Sequence, residues 1–434
     1  MLEKHFQLKH YQTTVKQEIT AGITTFLTMA YIVFVNPSLL SQAGMDSGAV
    51  FVATCLAAAA GCFIMGIYAN LPVALAPGMG LNAFFTFTVV IGMGQTWQTA
   101  LGCVFLSGLL FIVISLCHIR EWVINAIPNP LKKAIAAGIG GFLAIIAMKE
   151  AGIIVAHPVT LTRIGNLTHY VPAMTFFCFL LIIIFQSFKI WGGTLLAMLI
   201  ITVISLCTGH SSYTGIIASP PSLMPTFMQM DLASACSTSM LSVVFAFFFV
   251  DLFDTAGTLI GVTGRAGLMT ADQKIPNLKK ALLADSTATV IGAALGTSNT
   301  TSYIESAAGV TAGGRTGLMA VVVGILFLAA LFFAPLAHMI PVEATSGVIL
   351  YVAVLMMYAL GDIHWEDIGE AAPAMITILG MPLTYSIADG ITLGFISYTL
   401  IAACTGKIKT LNVGVWTVTA ILLFRSIMVG INFS

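Results

Sequence analysis

The sequence predicts an all-α, polytopic membrane protein built as two inverted seven-segment halves, and three observations predict it. Hydrophobic residues make up 58% of the 434-residue chain and charged residues only 8%, whereas soluble domains carry about 25% charged residues. Apolar runs long enough to span or half-span a bilayer follow one another with little chain between them. Two of those runs, at the third place of each half, are broken by polar and helix-breaking residues.

The runs fall at 19–36, 49–69, 71–93, 97–117, 133–155, 170–188 and 190–208. Past a polar loop they resume at 239–262, 281–297, 300–314, 315–340, 343–360, 370–387 and 388–404. A weaker run at 411–430 stands outside these fourteen. With the N-terminus inside, alternation puts Lys4, Lys9, Lys16, Arg120, Lys132, Lys133, Lys189, Arg265, Lys274, Lys279, Lys280, Arg315, Lys407 and Lys409 on the inner side, and only Lys149 and Arg163 on the outer. Such an asymmetry is the positive-inside bias, and a miscount of one span would scramble it. Loop 209–235 holds no Lys or Arg, as an outer loop should.

In the first half the third run, LPVALAPGMGLNAFF (71–85), is interrupted by Pro72, Pro77, Gly78 and Gly80. In the second, GTSNTTSYIESAAG (296–309) takes the matching place. Because seven is odd, the second half enters the membrane from the opposite side, which is the pattern of an inverted repeat with its site at the midplane.

Composition excludes several classes. Seventeen basic residues balance seventeen acidic ones, so nothing favours a nucleic-acid partner. The eight cysteines form no C-x-x-C pair and mostly lie in apolar runs, which reads as packed thiols rather than disulfides or a metal site. No P-loop, Rossmann fingerprint or nucleophile–base pairing occurs, and no cofactor or metal is expected. Met1–Glu18 is polar and carries no cleavable signal pattern.

The chemistry concentrates in FAFFFVDLFDTAGTLIGV (245–262). A carboxylate near the middle of a membrane helix costs roughly 2.5–3.5 kcal/mol on insertion scales and seldom persists without a task. Asp251 and Asp254, three apart, share one helix face, and no intramembrane Lys or Arg stands nearby in sequence. A D-x-x-D pair also suits Mg²⁺ and a diphosphate, as in membrane prenyltransferases, but that chemistry calls for a second acid-rich motif, which the chain lacks. Two carboxylates a turn apart in low dielectric disfavour double ionisation, so the pair is expected to share a proton, with Asp251 nearer the substrate. Glu305 sits where a broken segment frees backbone N–H groups, beside which it can accept from ring N–H groups or satisfy the backbone itself. Asn82 follows the other break and offers both donor and acceptor to an amide-like or purine edge. Phe84, Phe85, Phe248, Phe249 and Phe253 flank these groups; a flat heteroaromatic ligand would suit such rings, although most are expected to pack. Asp285 reads as a helix-end or gating contact, and Lys149 with Glu150 as a local surface pair.

Four stretches, AGITTFLTMAYIVFVNPSLL (21–40), NLPVALAPGMGLNAFF (70–85), VDLFDTAGTLIGV (250–262) and SYIESAAGVTAGGRTGL (302–318), resemble the AzgA-like purine permeases, a branch of the nucleobase–cation symporters related to the xanthine and uracil permeases. The resemblance covers nearly the whole chain. It implies a cytoplasmic N-terminus (1–18), a core domain from segments 1–4 (19–117) and 8–11 (239–340), and an outer loop (209–238). A gate domain would take segments 5–7 (118–208) and 12–14 with the C-terminal run (341–434). By motif match Asn82, Asp251, Asp254 and Glu305 take the places of the family's purine-site residues. The uracil branch has a His in the eighth segment that this chain lacks, so proton coupling would fall to a carboxylate, with the choice among them open. The resemblance further implies purine nucleobase–proton symport by an elevator-like movement in the bacterial inner membrane. A pyrimidine, xanthine or anion on the same fold is the alternative, though three acids argue against an anion. An apolar gate surface fits a homodimer.

Overall fold

The structure, a computed structural model, describes residues 2–116, 128–269, 275–406, 411 and 413–433. Cys117, Arg120, Lys274, Lys407 and Lys409 lie outside the described residues. Among those described, nine helices are long and apolar enough to cross a membrane, and shorter apolar helices accompany them.

The first run extends in both directions and breaks once. Helix α1 (Val15–Met29) starts at a reciprocal capping box between Thr14 and Gln17. It gives way at Ala30–Tyr31 to α2 (Ile32–Gln42). Helix α3 (Ser47–Ile64) is capped by Asp46 and ends in a π turn, Met65–Ala69, closed by Asn70 in the left-handed region. A three-residue strand β1 (Leu75–Pro77) then leads into α4 (Met79–Ala83), which continues as π-helix over Phe84–Gly92. Helix α5 spans Trp97–Leu116 and α6 spans Asn129–Glu150.

The run expected at 133–155 stops early. After Glu150 the chain forms a hairpin, β2 (Ile154–His157) against β3 (Leu161–Ile164), because Gly152 at φ 68° turns it out of the helix. Helices α7 (Tyr170–Ser187) and α8 (Gly193–Cys207) complete the first half.

In the second half α9 covers Thr238–Arg265 and α10 Leu278–Leu295. Strand β4 (Thr300–Ser302) and the short α11 (Ser306–Thr311) follow. Helix α12 (Gly317–Ala330) runs on through a 3₁₀ turn to Met339. The last helices are α13 (Val342–Met357), α14 (Ile368–Thr384), α15 (Ile387–Cys404) and α16 (Val413–Phe433), the last being a single helix where the weak run at 411–430 was read.

Two groups of helices pack separately and then against each other. In one, α5 packs on α9 and α10, α3 on α10 and α12, and α1 on α11 and α12. In the other, α6 packs on α13 and α14, α13 on α7 and α8, and α15 on α14 and α16. Small residues set the closest approach: a Cβ on Gly317 would lie 2.0 Å from the carbonyl oxygen of Gly66, so α3 and α12 meet backbone to backbone. At the centre of the first group the two broken segments pair. β1 runs antiparallel to β4 in the register Leu75↔Ser302, Ala76↔Thr301, Pro77↔Thr300. The amide of Gly78 donates to Asn299 O and that of Tyr303 to Ala74 O, so the backbone groups freed by the breaks are satisfied against each other.

Candidate substrate site

The strand pair fixes where the half-helices begin. Helix α4 starts directly after β1, and Glu305 immediately precedes α11 after β4. A cavity of about 240 Å³ lies in front of these starts and between the two helix groups. One wall carries Tyr31, Gly80, Asp254, Tyr303 and Glu305. The other is a stripe of α6 (Lys132, Ile135, Ala136, Ile139) with Val352 and Met356 of α13. The volume falls just below the usual range of ligand pockets, about 300–1,000 Å³, and suits one small ring system.

Glu305 accepts a hydrogen bond from the Tyr31 hydroxyl at 2.5 Å. Tyr31 reaches it because the chain breaks between α1 and α2, exposing that ring to the cavity. Asp254 faces the same cavity without a hydrogen-bonding partner among the described residues. Asp251, expected nearer the substrate, lies instead behind the strand pair and is 1% exposed. Three residues along α9, the two carboxylates diverge: Asp251 Oδ2 accepts from Thr289 Oγ1 and Asn299 Nδ2, both at 3.1 Å, and its Oδ1 has no hydrogen-bond partner. Asn82 is also fully buried and off the cavity wall; its Oδ1 accepts from Ser298 and its Nδ2 has no partner. Of the five phenylalanines, Phe253 alone lines the cavity, stacked on Phe249 at 6.1 Å.

Two readings of the sequence need correcting. Asp285 is no helix-end contact. Helix α10 begins at Leu278, earlier than its apolar run, so Asp285 falls two turns inside and is fully buried. It accepts from Thr255 Oγ1 at 2.7 Å and Ser302 Oγ at 2.8 Å, tying α9 to β4. Lys149 and Glu150 do not pair locally either: Glu150 accepts from Gln42 Nε2 at 2.6 Å, and the Lys149 ammonium lies 5.0 Å from the Tyr385 ring centroid. Sequence reasoning also passed over Tyr31 and Lys132. Tyr31 sits inside an apolar run with no charged neighbour in register, and Lys132 reads as one of the inner-side cations.

Half-helix starts joined by a strand pair, with carboxylates facing a cavity between two groups of apolar helices, match the architecture of a membrane transporter. The chain belongs to the xanthine/uracil permease family, described as the Permease family, which matches residues 16–425. It is therefore a multi-pass permease, and the enzyme reading of the D-x-x-D pair falls away. The chain is 46% identical to the adenine permease AdeP of Escherichia coli (strain K12) over 429 residues, 99% of this chain and 96% of that protein. It is 47% identical to the guanine/hypoxanthine permease PbuG of Bacillus subtilis (strain 168) over 423 residues, 95% of this chain and 96% of that one. Among solved structures, the transmembrane domain of the cyanobacterial bicarbonate transporter BicA superposes with a TM-score of 0.66 at 15% identity, covering 87% of this chain and 97% of that one, a likeness of fold alone.

Proposed function

We propose that this permease takes up purine nucleobases together with protons, by an elevator-like movement of the group built on the paired strands against the group built on α6 and α13. The observation that carries the reading is the position of Asp254 and Glu305 on a small cavity whose opposite wall belongs to the other helix group. A purine presents ring N–H groups to carboxylates and a flat face to Phe253, and relatives named for adenine and for guanine/hypoxanthine stand at similar identity. Asn82 and Asp251 would act from behind: Asn82 by holding Ser298 of the loop before β4, Asp251 by holding Asn299 and Thr289. Asp251 Oδ1, unpaired and one turn from Asp254, is where a transported proton would remove buried charge. Loading with proton and base lowers the cost of carrying these acids past the apolar face of α6, which couples the two cargoes.

Sidedness follows the distribution of Lys and Arg: the N-terminus lies inside, and the membrane is the bacterial inner membrane. The test is uptake of labelled hypoxanthine or adenine into liposomes holding purified protein, with and without an inward proton gradient. Accumulation of unchanged base that collapses with the gradient is the expected result. Failure of every purine to enter or to compete would overturn the reading.

A further inference from the structure

We infer that Lys132 is a specificity-determining residue of this site, selecting purines that carry an exocyclic carbonyl over those that carry an exocyclic amine. The inference rests on the purine reading above. Among the described residues lining the cavity, Lys132 is the one cation. It belongs to the α6 stripe whose other members, Ile135, Ala136 and Ile139, are apolar, so its four-carbon stem lies along an apolar wall with the ammonium as the polar group. Asp254 and Glu305 line the same space from the other helix group, and neither carboxylate is within ion-pair distance of Lys132.

The chemistry of the wall is therefore divided. One side offers acceptors, the two carboxylates, with the Thr258 hydroxyl and the backbone N–H groups at the start of α4 beside them. Three hydroxyls on that side are already committed as donors: Tyr31 to Glu305 itself, Ser302 to Asp285, and Tyr303 to the carbonyl of Pro77. The other side offers an ammonium, which has three donors and no acceptor. A base held between the two turns its ring N–H groups to the acids and an acceptor to the lysine. A 6-oxopurine places a carbonyl oxygen there, whereas a 6-aminopurine places N–H groups that meet a second donor. Overall similarity leaves the choice open, because relatives named for both kinds of base align at 46% and 47% identity.

The experiment measures binding of hypoxanthine and of adenine, separately, to purified wild type, K132Q and K132R by titration calorimetry. Wild type should bind hypoxanthine the more tightly. K132Q should lose about tenfold or more for hypoxanthine, the worth of one charged hydrogen bond, and hold or gain affinity for adenine, with a monodisperse elution profile and an unchanged melting temperature as the folding control. K132R, which keeps the charge, should keep the preference. Equal weakening toward both bases, no change toward either, or a wild type that favours adenine would each overturn the assignment. A well-folded wild type that binds neither base would sink the purine reading itself, which is a separate result.

Discussion

Glu305 lines the cavity with one oxygen already committed. Its Oε1 accepts the Tyr31 hydroxyl at 2.5 Å, which fixes the carboxylate on the cavity wall. Glu305→Gln preserves shape but replaces a charged acceptor by a neutral one, and hydrogen bonds to charged groups are worth about 1.5–3 kcal/mol. Purine affinity should fall roughly tenfold or more, with Tyr31→Phe giving a smaller loss because it frees the carboxylate without removing it. Unchanged affinity in Glu305→Gln, at normal insertion, would leave Glu305 the task of starting α11 and nothing else. Residue identity in this site was legible wherever chemistry was out of place: an acid in an apolar run costs free energy, so Asp251, Asp254 and Glu305 could be picked out unaided. Which of them faces the cavity was not legible. Three residues of helix leave Asp251 and Asp254 on nearly one face, and the partners that divide them, Thr289 and Asn299 against open space, come from α10 and the loop before β4.

The proposed movement requires that the two helix groups pass close to one another. At Gly80, the second residue of α4, an added Cβ would sit 2.6 Å from Ile139 Cγ2 on α6. No ordinary contact is that short, so a side chain there forces α4 and α6 apart or jams one against the other. Gly80→Val should cut uptake severely while leaving insertion near normal, and the double variant Gly80→Ala with Ile139→Ala should recover more uptake than Gly80→Ala alone. Normal uptake by Gly80→Val would show that this crossing does not limit movement. Elements themselves were largely legible, because apolar length reports a membrane helix and Pro72, Pro77, Gly78 and Gly80 report a break. Pairing of β1 with β4 was not, since it joins residues more than two hundred positions apart and neither strand carries an alternating pattern. The hairpin Ile154–Ile164 was hidden for a different reason: its first strand is as apolar as the helix before it.

At the scale of the whole molecule, the helix groups touch at the end of α6 remote from Lys132. Gln42 at the end of α2 donates to Glu150 at the end of α6, and Thr88 donates to Tyr385 O while the Tyr385 ring packs edge-on against Phe87 and Phe142. These contacts close that end, so Gln42→Ala with Tyr385→Ala should raise labelling of a cysteine placed at position 88 by an outside reagent. Unaltered labelling would mean the contacts do not hold the state. Coupling, in the proposed mechanism, belongs to the whole molecule rather than to one element. Sequence reasoning had Asp251 and Asp254 share the proton, with Asp251 nearer the substrate; the cavity is lined by Asp254 and not by Asp251. In Asp251→Asn the amide oxygen can still accept from Thr289 and Asn299, so the fold and the site survive, yet the group can no longer take up and release a proton. Asp251→Asn should therefore exchange labelled base for unlabelled base across liposome membranes at near wild-type rates and fail to accumulate it on a proton gradient. Asp254→Asn should impair both, since it changes a group on the cavity wall. Wild-type accumulation should rise as external pH falls and vanish when the gradient is dissipated. If Asp251→Asn still concentrates base to the wild-type ratio, the proton is carried elsewhere, and a wild type driven by sodium rather than by protons would remove the premise.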